Sequence, residues 1–336
     1  MIRSFVIPYT FSVIICAYTE ERWNDLSSCV ASIRNQECKP LEIILVIDHN
    51  KVLWERARTC FTDLLVLDNA YPQGASAARN YAIEHARGDL LAFIDDDAAA
   101  APDWLKQLAH EYDDPAVMGV GGRVLPHWDT GRPAWFPEEF DWVVGCTYRG
   151  LPDVKAPVRN LICCNMSLRR EVIDAVGGFQ VGIGHRNGVP RGDEETELCI
   201  RARQHLPNRI LIYEPAAVVL HRILRFRTTL KYYLTRCYLE GRSKAVLTEL
   251  VGSSEGLSSE KAYLLHTLPG GVLRGIWHFI TKFEPAGLGR ACAIVAGFLT
   301  TAFAYIVGRL LNLFRPSIGL STISSSIGAR VSRSKV

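Results

Sequence analysis

The chain has 336 residues, 48% of them hydrophobic and 22% charged, a composition that supplies a packed core and excludes a disordered or collagen-like chain. The length suits one large α/β domain with an appendage, or two small domains. Net charge is only +3, but residues 222–336 hold 16 of the 38 Lys/Arg and 5 of the 35 Asp/Glu, and basic residues set among long apolar stretches suit an anionic membrane surface and not nucleic acid.

In chain order, Phe11 to Tyr18 reads as a buried strand, apolar and β-branched, ending in the polar loop Thr19-Glu20-Glu21-Arg22. Leu26, Cys29, Val30 and Ile33 then mark one face of a helix. Leu41 to Asp48 is a second buried strand and Leu64 to Leu67 a third. Gly74 opens a helix that runs to about Ala86, and Leu90 to Ile94 is a fourth strand leading into Asp95-Asp96-Asp97. Near-continuous apolar strands alternating with helices describe a doubly wound, mainly parallel sheet covered on both faces. Ligands bind such sheets at the carboxyl ends of the strands, which is where Tyr18, Asp48 and the aspartate cluster fall.

The middle is less regular. Gly119 to Gly122 reads as a strand and turn, and Pro126 to Gly150, rich in Trp, Pro and Gly, as a long loop of functional type. Leu161 to Leu168 is another strand, followed by a helix from Arg170. A helix opens at Gly192 with Asp193, Glu194, Glu195 and Glu197 in its first turns. Ile210 to Tyr213 and Ala216 to His221 are the last strands. Ten cysteines form no CxxC pair and no zinc-finger spacing, as expected of reduced, mostly buried thiols in a cytosolic protein. The first twelve residues do not read as a signal peptide.

Three adjacent carboxylates after an apolar strand repel one another unless a cation neutralises them, and hard oxygen ligands select Mg²⁺ or Mn²⁺. Asp95 and Asp97, one residue apart, can share a side of an extended segment. That makes them the natural ligand pair, with His221 as a third ligand or a diphosphate donor. The reading requires these side chains to face a cleft, and their engagement by an internal lysine or arginine would collapse it. Asp193, Glu194 and Glu195 are candidates for a base that takes an acceptor proton. Favourable helix N-terminal charge accounts for some of these acids.

Asp48, Gly74-x-Ser-x-Ala-Arg79-Asn80, Phe-Ile-Asp95-Asp-Asp97, Cys164-Asn-Met-Ser, Gly177-Gly-Phe179, Glu-Glu-Thr-Glu-Leu198 and Val-x-His221 occur in an order that resembles family 2 glycosyltransferases of the GT-A fold, over roughly residues 10–225. The resemblance implies an inverting, metal-dependent transfer from a nucleoside diphosphate sugar. It implies that Ala17, Tyr18 and Asp48 line the base and ribose pocket, with Glu20 or Glu21 in reach. Arg79 and Asp96 would lie near the diphosphate, and Asp95 and Asp97 would form the metal motif with Mn²⁺ or Mg²⁺. The usual Gly-Glu-Asp-x-Glu-Leu motif is altered here. Alignment on Glu197-Leu198 makes Glu195 the base, and alignment on Gly192 makes it Asp193 or Glu194. No Gln-x-x-Arg-Trp motif is present, so a non-processive enzyme is expected.

Val46-Ile-Asp-His-Asn50, Pro133-Ala-Trp-Phe-Pro137 and Arg236 to Lys244 resemble a narrower group, glucuronosyltransferases acting on polyprenyl- or dolichyl-phosphate-linked sugars. This implies a UDP-sugar donor, a lipid-linked glycan acceptor, and Arg123, Arg149 or Arg159 as a partner for a donor carboxylate. Two alternatives remain open. A nucleotidyltransferase would need a Gly-rich phosphate loop after the first strand, where the chain has Thr19 to Arg22. A membrane-attached sugar-nucleotide sensor would not turn over.

The domains expected are a catalytic domain at 1–225, membrane-associating helices at 226–316 and a basic, Ser-rich, disordered tail at 317–336. Phe226 to Leu250 and Val272 to Phe283 are amphipathic helix patterns with aromatic and basic residues. Ala291 to Gly308 has no charge; its 18 residues at about 1.5 Å each span ~27 Å, against a ~30 Å hydrocarbon core. Arg309, Arg315, Arg330, Arg333 and Lys335 beyond it oppose a simple outward span. The expectation is a hairpin or in-plane insertion at the cytoplasmic face of the membrane, with a single true span as the second option and a buried helix of a soluble protein as the third.

Overall fold

The computed structural model describes residues 8–181, 183, 192–252 and 260–313. Four parallel strands, β1 (Phe11–Ala17), β2 (Glu42–Ile47), β3 (Leu65–Asp68) and β4 (Leu90–Asp95), lie in the order β3-β2-β1-β4. Both faces of β1 are buried because its alternate side chains meet different layers. Val13 and Ile15 join the cluster with Leu26, Val30 and Ile33 of α1 (Trp23–Arg34), whereas Ile14 joins Ala78 and Ala82 of α3 (Ala75–His85). Between β2 and β3 the structure adds α2 (Lys51–Cys60), which the sequence pattern does not announce. It is capped by Asn50, whose side chain accepts from Leu53 N at 3.0 Å, and only Leu53 and Ala57 are buried.

The sheet continues as β4-β8-β6-β9-β5, with β7 also on β9, to nine strands. These are β5 (Ala98–Ala100), β6 (Val117–Trp128), β7 (Ala156–Val158), β8 (Met166–Arg169) and β9 (Ile210–Ile223), with α4 (Trp104–Glu111), α5 (Arg170–Val176) and α6 (Glu194–His205) between them. Here the sheet is mixed: β8 runs antiparallel to β4 and β6, and β6 parallel to β9. The expected turn at Gly119–Gly122 is instead the centre of β6. Its glycines make room, since a Cβ on Gly122 would lie 2.6 Å from Asn165 Nδ2. The two expected last strands are one, β9, with an irregularity opposite Gly122/Arg123. Within the expected long loop, Glu138–Val144 forms a 3₁₀ helix.

Three long helices follow among the described residues: α7 (Leu230–Val251), α8 (Leu268–Lys282) and α9 (Pro285–Leu313). A short helix at Glu260–Ala262 and a π-helical turn at Tyr263–Thr267 run directly into α8, so Pro269 follows the π turn and does not break the chain. A left-handed residue, Phe283 (φ 51°), ends α8, and α9 folds back along it with Gly275 and Gly287 in close apposition. On its other side α9 runs parallel to α7. A Cβ on Gly241 would lie 2.8 Å from Ala304 Cβ, and one on Gly308 2.6 Å from Ala245 Cβ. The buried Tyr233 of α7 stacks among Trp135, Phe136 and Phe140 and donates to Ala293 O at 2.8 Å. Arg274 of α8 pairs with the buried Glu139. The hairpin is therefore packed onto the catalytic sheet's own loops. Among the described residues, Pro285–Leu311 is long and apolar enough to cross a membrane by length and composition. The expected tail at 317–336, with Arg315, Arg330, Arg333 and Lys335, lies outside the described residues.

Candidate active site

At the carboxyl ends of β1, β2 and β4 a cleft of about 270 Å³ opens. β4 ends on Asp95, and a tight turn at Asp96-Asp97 hands the chain to β5. Because β5 pairs antiparallel with β9, Ala98 lies opposite His221, and the register delivers the imidazole to the aspartates. His221 Nε2 lies 3.0 Å from Asp97 Oδ1, and Nδ1 faces Cys146 Sγ at 3.7 Å. Gly145 (φ 79°) leaves space for the ring, since a Cβ there would be 3.2 Å from His221 Cε1. Donor atoms of Asp95, Asp97 and His221 lie within 4.8 Å of one another. Two carboxylates and an imidazole form a donor set that a divalent ion of the Mg²⁺/Mn²⁺ type accepts. Asp96 Oδ2 and Glu194 Oε2, on two cleft residues, are buried without hydrogen-bond partners. A cation or an incoming hydroxyl would satisfy such acceptors.

The aspartates also hold cations of the protein's own. Arg22 meets Asp96 at 2.7 Å and Asp97 at 3.2 Å, Arg227 meets Asp97 at 3.2 Å, and Arg79 meets Asp95 at 3.4 Å. The sequence reading held that such engagement would collapse the enzyme assignment. Here it leaves the carboxylates on the cleft wall, and the three guanidiniums line the same cleft. The electrostatics follow from this crowding. Burial pushes Asp96 up to about 7, with Arg22 opposing and Asp97 reinforcing. Burial would raise Asp97 too, but His221, Arg227 and Arg22 hold it well below the usual carboxylate range. Burial disfavours the imidazolium of His221, yet Asp97 and Cys146 hold it well above the ordinary histidine value.

Of the other residues singled out from sequence, Ala17, Tyr18, Asp48, Arg79 and Glu194 line this cleft. Asp48 accepts from Asn69 Nδ2 at 2.7 Å and Gly74 N at 3.0 Å, which fixes its carboxylate at the tip of β2. Arg79, buried on α3, bonds Glu194 Oε1 at 2.8 Å. Glu20 is exposed on the turn after β1 and is not brought to the cleft wall, nor are Asp193 and Glu195. Arg123, Arg149 and Arg159 lie elsewhere: Arg149 pairs with Glu138, Arg159 Nε bonds Asn160, and Arg123 reaches Asp153 O at 3.5 Å. Sequence reasoning missed Arg22, Gln73, Val143 to Gly145, Arg227, Tyr232 and Arg236 on the wall. The last two belong to α7, so this helix closes one side of the cleft.

The description "Glycosyl transferase family 2" matches residues 12–177. The chain is 33% identical over 306 residues to a glucosyl-dolichyl phosphate glucuronosyltransferase of Haloferax volcanii, covering 89% of this chain and 96% of that one. This chain belongs to glycosyl transferase family 2. It is also 27% identical over 244 residues to a pre-mycofactocin glycosyltransferase of Mycobacterium tuberculosis, 71% of this chain and 46% of the other. Its fold matches that of a Pyrobaculum calidifontis mannosyltransferase solved with GDP-mannose and Mn²⁺, at a TM-score of 0.54 and 15% identity over 87% of each chain. As a family 2 glycosyltransferase of GT-A-like fold, the chain is an enzyme that transfers a sugar, which displaces the nucleotidyltransferase and sensor readings.

Within this family 2 enzyme the acids at the start of α6 differ in their surroundings. Asp193, in a left-handed conformation (φ 73°), lies 3.9 Å from Lys244. Glu194 is held by Arg79, and Glu197 accepts from Nε and Nη2 of Arg201. Glu195 makes no ion pair with any described residue. Burial, reinforced by the charges of Glu194 and Asp193, pushes its carboxyl well above the usual range.

Proposed function

We propose that this chain is an inverting, non-processive glycosyltransferase that moves glucuronate or another hexose from a UDP-sugar to a sugar linked to a polyprenyl phosphate, at the cytoplasmic face of a membrane. The observation that carries the reading is the convergence of Asp48, Arg79, Asp95, Asp97 and His221 on one cleft, in a chain aligned over almost the whole of a relative whose name specifies a lipid-phosphate sugar acceptor. Ala17, Tyr18 and Asp48 form the base and ribose end of the site, with Glu20 exposed on the turn that follows Tyr18. Asp95, Asp97 and His221 hold Mn²⁺ or Mg²⁺, which when bound supplies Lewis-acid stabilisation of the departing diphosphate.

The residues divide the remaining work. Glu195, next in sequence to the cleft residue Glu194 and without an ion pair among the described residues, takes the acceptor hydroxyl proton as the new C–O bond forms and the bond to the diphosphate breaks. Glu194 is spoken for by Arg79 and positions it. Arg22, Arg79 and Arg227, already aimed at the carboxylates, are within a side-chain rotation of an anionic leaving group and screen its charge without prior reorganisation of the backbone. Membrane association rests on the exposed apolar side chains of α8 and α9, among them Trp277, Ile280, Phe283 and Phe303. Both helices also pack on the enzyme, and this favours in-plane seating of the hairpin.

The test is transfer from a panel of UDP- and GDP-sugars to a glucosyl prenyl phosphate in the presence of Mn²⁺ or Mg²⁺, with the anomer read by NMR. UDP-glucuronate giving a product of inverted configuration supports the reading. Exclusive use of a GDP-sugar would replace the donor, and retention of configuration would remove Glu195 as base.

A further inference from the structure

Beside the donor cleft lies a second, more enclosed cavity of about 220 Å³. Its floor is at the same edge of the sheet. Tyr213 of β9 pairs with Gly121 of β6, Gly121 with Met166 of β8, and Met166 with Phe93 of β4, two residues before Asp95. Its wall reaches the helix of the acidic motif, since Cys199, one turn after Glu195, meets the backbone of Leu161 in the cavity lining. Gly121, Gly122 and Gly150 lie in the lining, each packed closely against neighbouring protein atoms.

The lining suits one sugar ring. Tyr148, Tyr213 and Tyr263 supply aromatic surface, and Arg159 and Asn160 supply polar groups at the rim. The Tyr263 hydroxyl is already committed, donating to Glu139 O at 2.6 Å and accepting from Trp142 Nε1 at 3.1 Å, and its ring meets that of Tyr148 edge-on at 5.5 Å. Tyr213 differs: it is 4% exposed and its hydroxyl is buried without a hydrogen-bond partner among the described residues. A buried hydroxyl left unpaired costs stability unless a ligand or water completes it. The chain leaving Tyr263 exposes Leu264 and Leu265, then enters α8 with Leu273, Ile276 and Trp277 exposed. Exposed apolar side chains therefore follow Tyr263, a lining residue of the cavity, along the chain onto the hairpin.

We propose that this cavity binds the terminal hexose of the lipid-linked acceptor, with the Tyr213 hydroxyl bonding a sugar hydroxyl and the prenyl chain leaving over Leu264, Leu265 and α8. This rests on the transferase reading above. The experiment uses the full chain, UDP-glucuronate as donor and a glucosyl phosphate with a short prenyl chain as probe, and follows UDP release with and without the probe. Tyr213→Phe should raise the acceptor KM about 3- to 10-fold, the loss of one buried hydrogen bond. Pro152→Trp, which fills the cavity from its rim, should raise it more than tenfold. Both should leave the donor KM and the slow release of UDP to water within twofold. An unchanged acceptor KM in both variants overturns the proposal, and so does a parallel rise in donor KM, which would assign the cavity to the donor. A wild-type chain that releases no UDP from any donor, with or without probe, would instead sink the transferase reading on which the proposal stands.

Discussion

Replacing Asp97 by asparagine discriminates between two views of the aspartate cluster. If the three carboxylates only repelled one another, removing one charge would stabilise the protein in EDTA. The structure predicts the opposite, because Asp97 is the shared partner of Arg22, Arg227 and His221. Its side chain is 3% exposed, and those of Arg22 and Arg227 are 15% and 14% exposed, so solvent screens the network little. Removing one member of a buried charge network costs ~3–5 kcal/mol; the open cleft argues for the lower end. With an unfolding entropy of about 2.1 cal/mol/K per residue, a loss of ~3 kcal/mol lowers the midpoint of 336 residues by about 4 °C. The assay is thermal unfolding in EDTA and again with Mn²⁺ and UDP. The variant should melt about 4 °C low in EDTA and gain nothing from Mn²⁺ with UDP, whereas the parent gains in proportion to affinity. A rise in the EDTA midpoint would refute the charge balance argued from Arg22, Arg227 and His221.

Glu195→Gln should lower turnover about 10²- to 10⁴-fold with donor binding intact. Its melting should also depend less on pH. The parent's raised Glu195 contributes stability that is full below the ordinary carboxylate value and lost as pH rises through the raised one. A variant that retains near-parent kcat would pass the base role to Asp193 or Glu194. Gly241→Leu should destabilise the chain by ~3 kcal/mol or more through overpacking against Ala304 and Tyr305, with α9 pried from α7; an unchanged midpoint in detergent would show that the two helices do not pack as described. Changing Trp277, Ile280 and Phe283 together to serine should release the chain from anionic vesicles in a sedimentation assay while sparing its fold, since all three are exposed on the hairpin. Undiminished binding would move the membrane contact elsewhere.

Much of this architecture is legible in the chain because the buried strands are nearly pure apolar runs. Ile14 and Ile15 must both be covered, which demands helices on two faces. α2 is not legible because its buried stripe is two residues, Leu53 and Ala57, amid charge. β6 is obscured because glycine in sequence signals a turn, whereas Gly119 and Gly122 serve close packing inside a strand. Asp48, Asp95 and Asp97 stand out as carboxylates at strand ends. Arg22 and Arg227 do not, because an arginine in a loop carries the same local signal whether it faces water or a buried aspartate; only the β5–β9 register and the fold of the Thr19–Arg22 turn bring them in.

The account's central claim is that Asp95, Asp97 and His221 exchange their internal partners for a divalent ion shared with a diphosphate. A crystal structure with Mn²⁺ and UDP tests it directly. The claim predicts anomalous density about 2.0–2.3 Å from Asp97 and His221, with Arg22 or Arg227 turned from Asp97 to phosphate oxygens. Bound UDP with Arg22 and Arg227 still on Asp97 and no ion between them would contradict it.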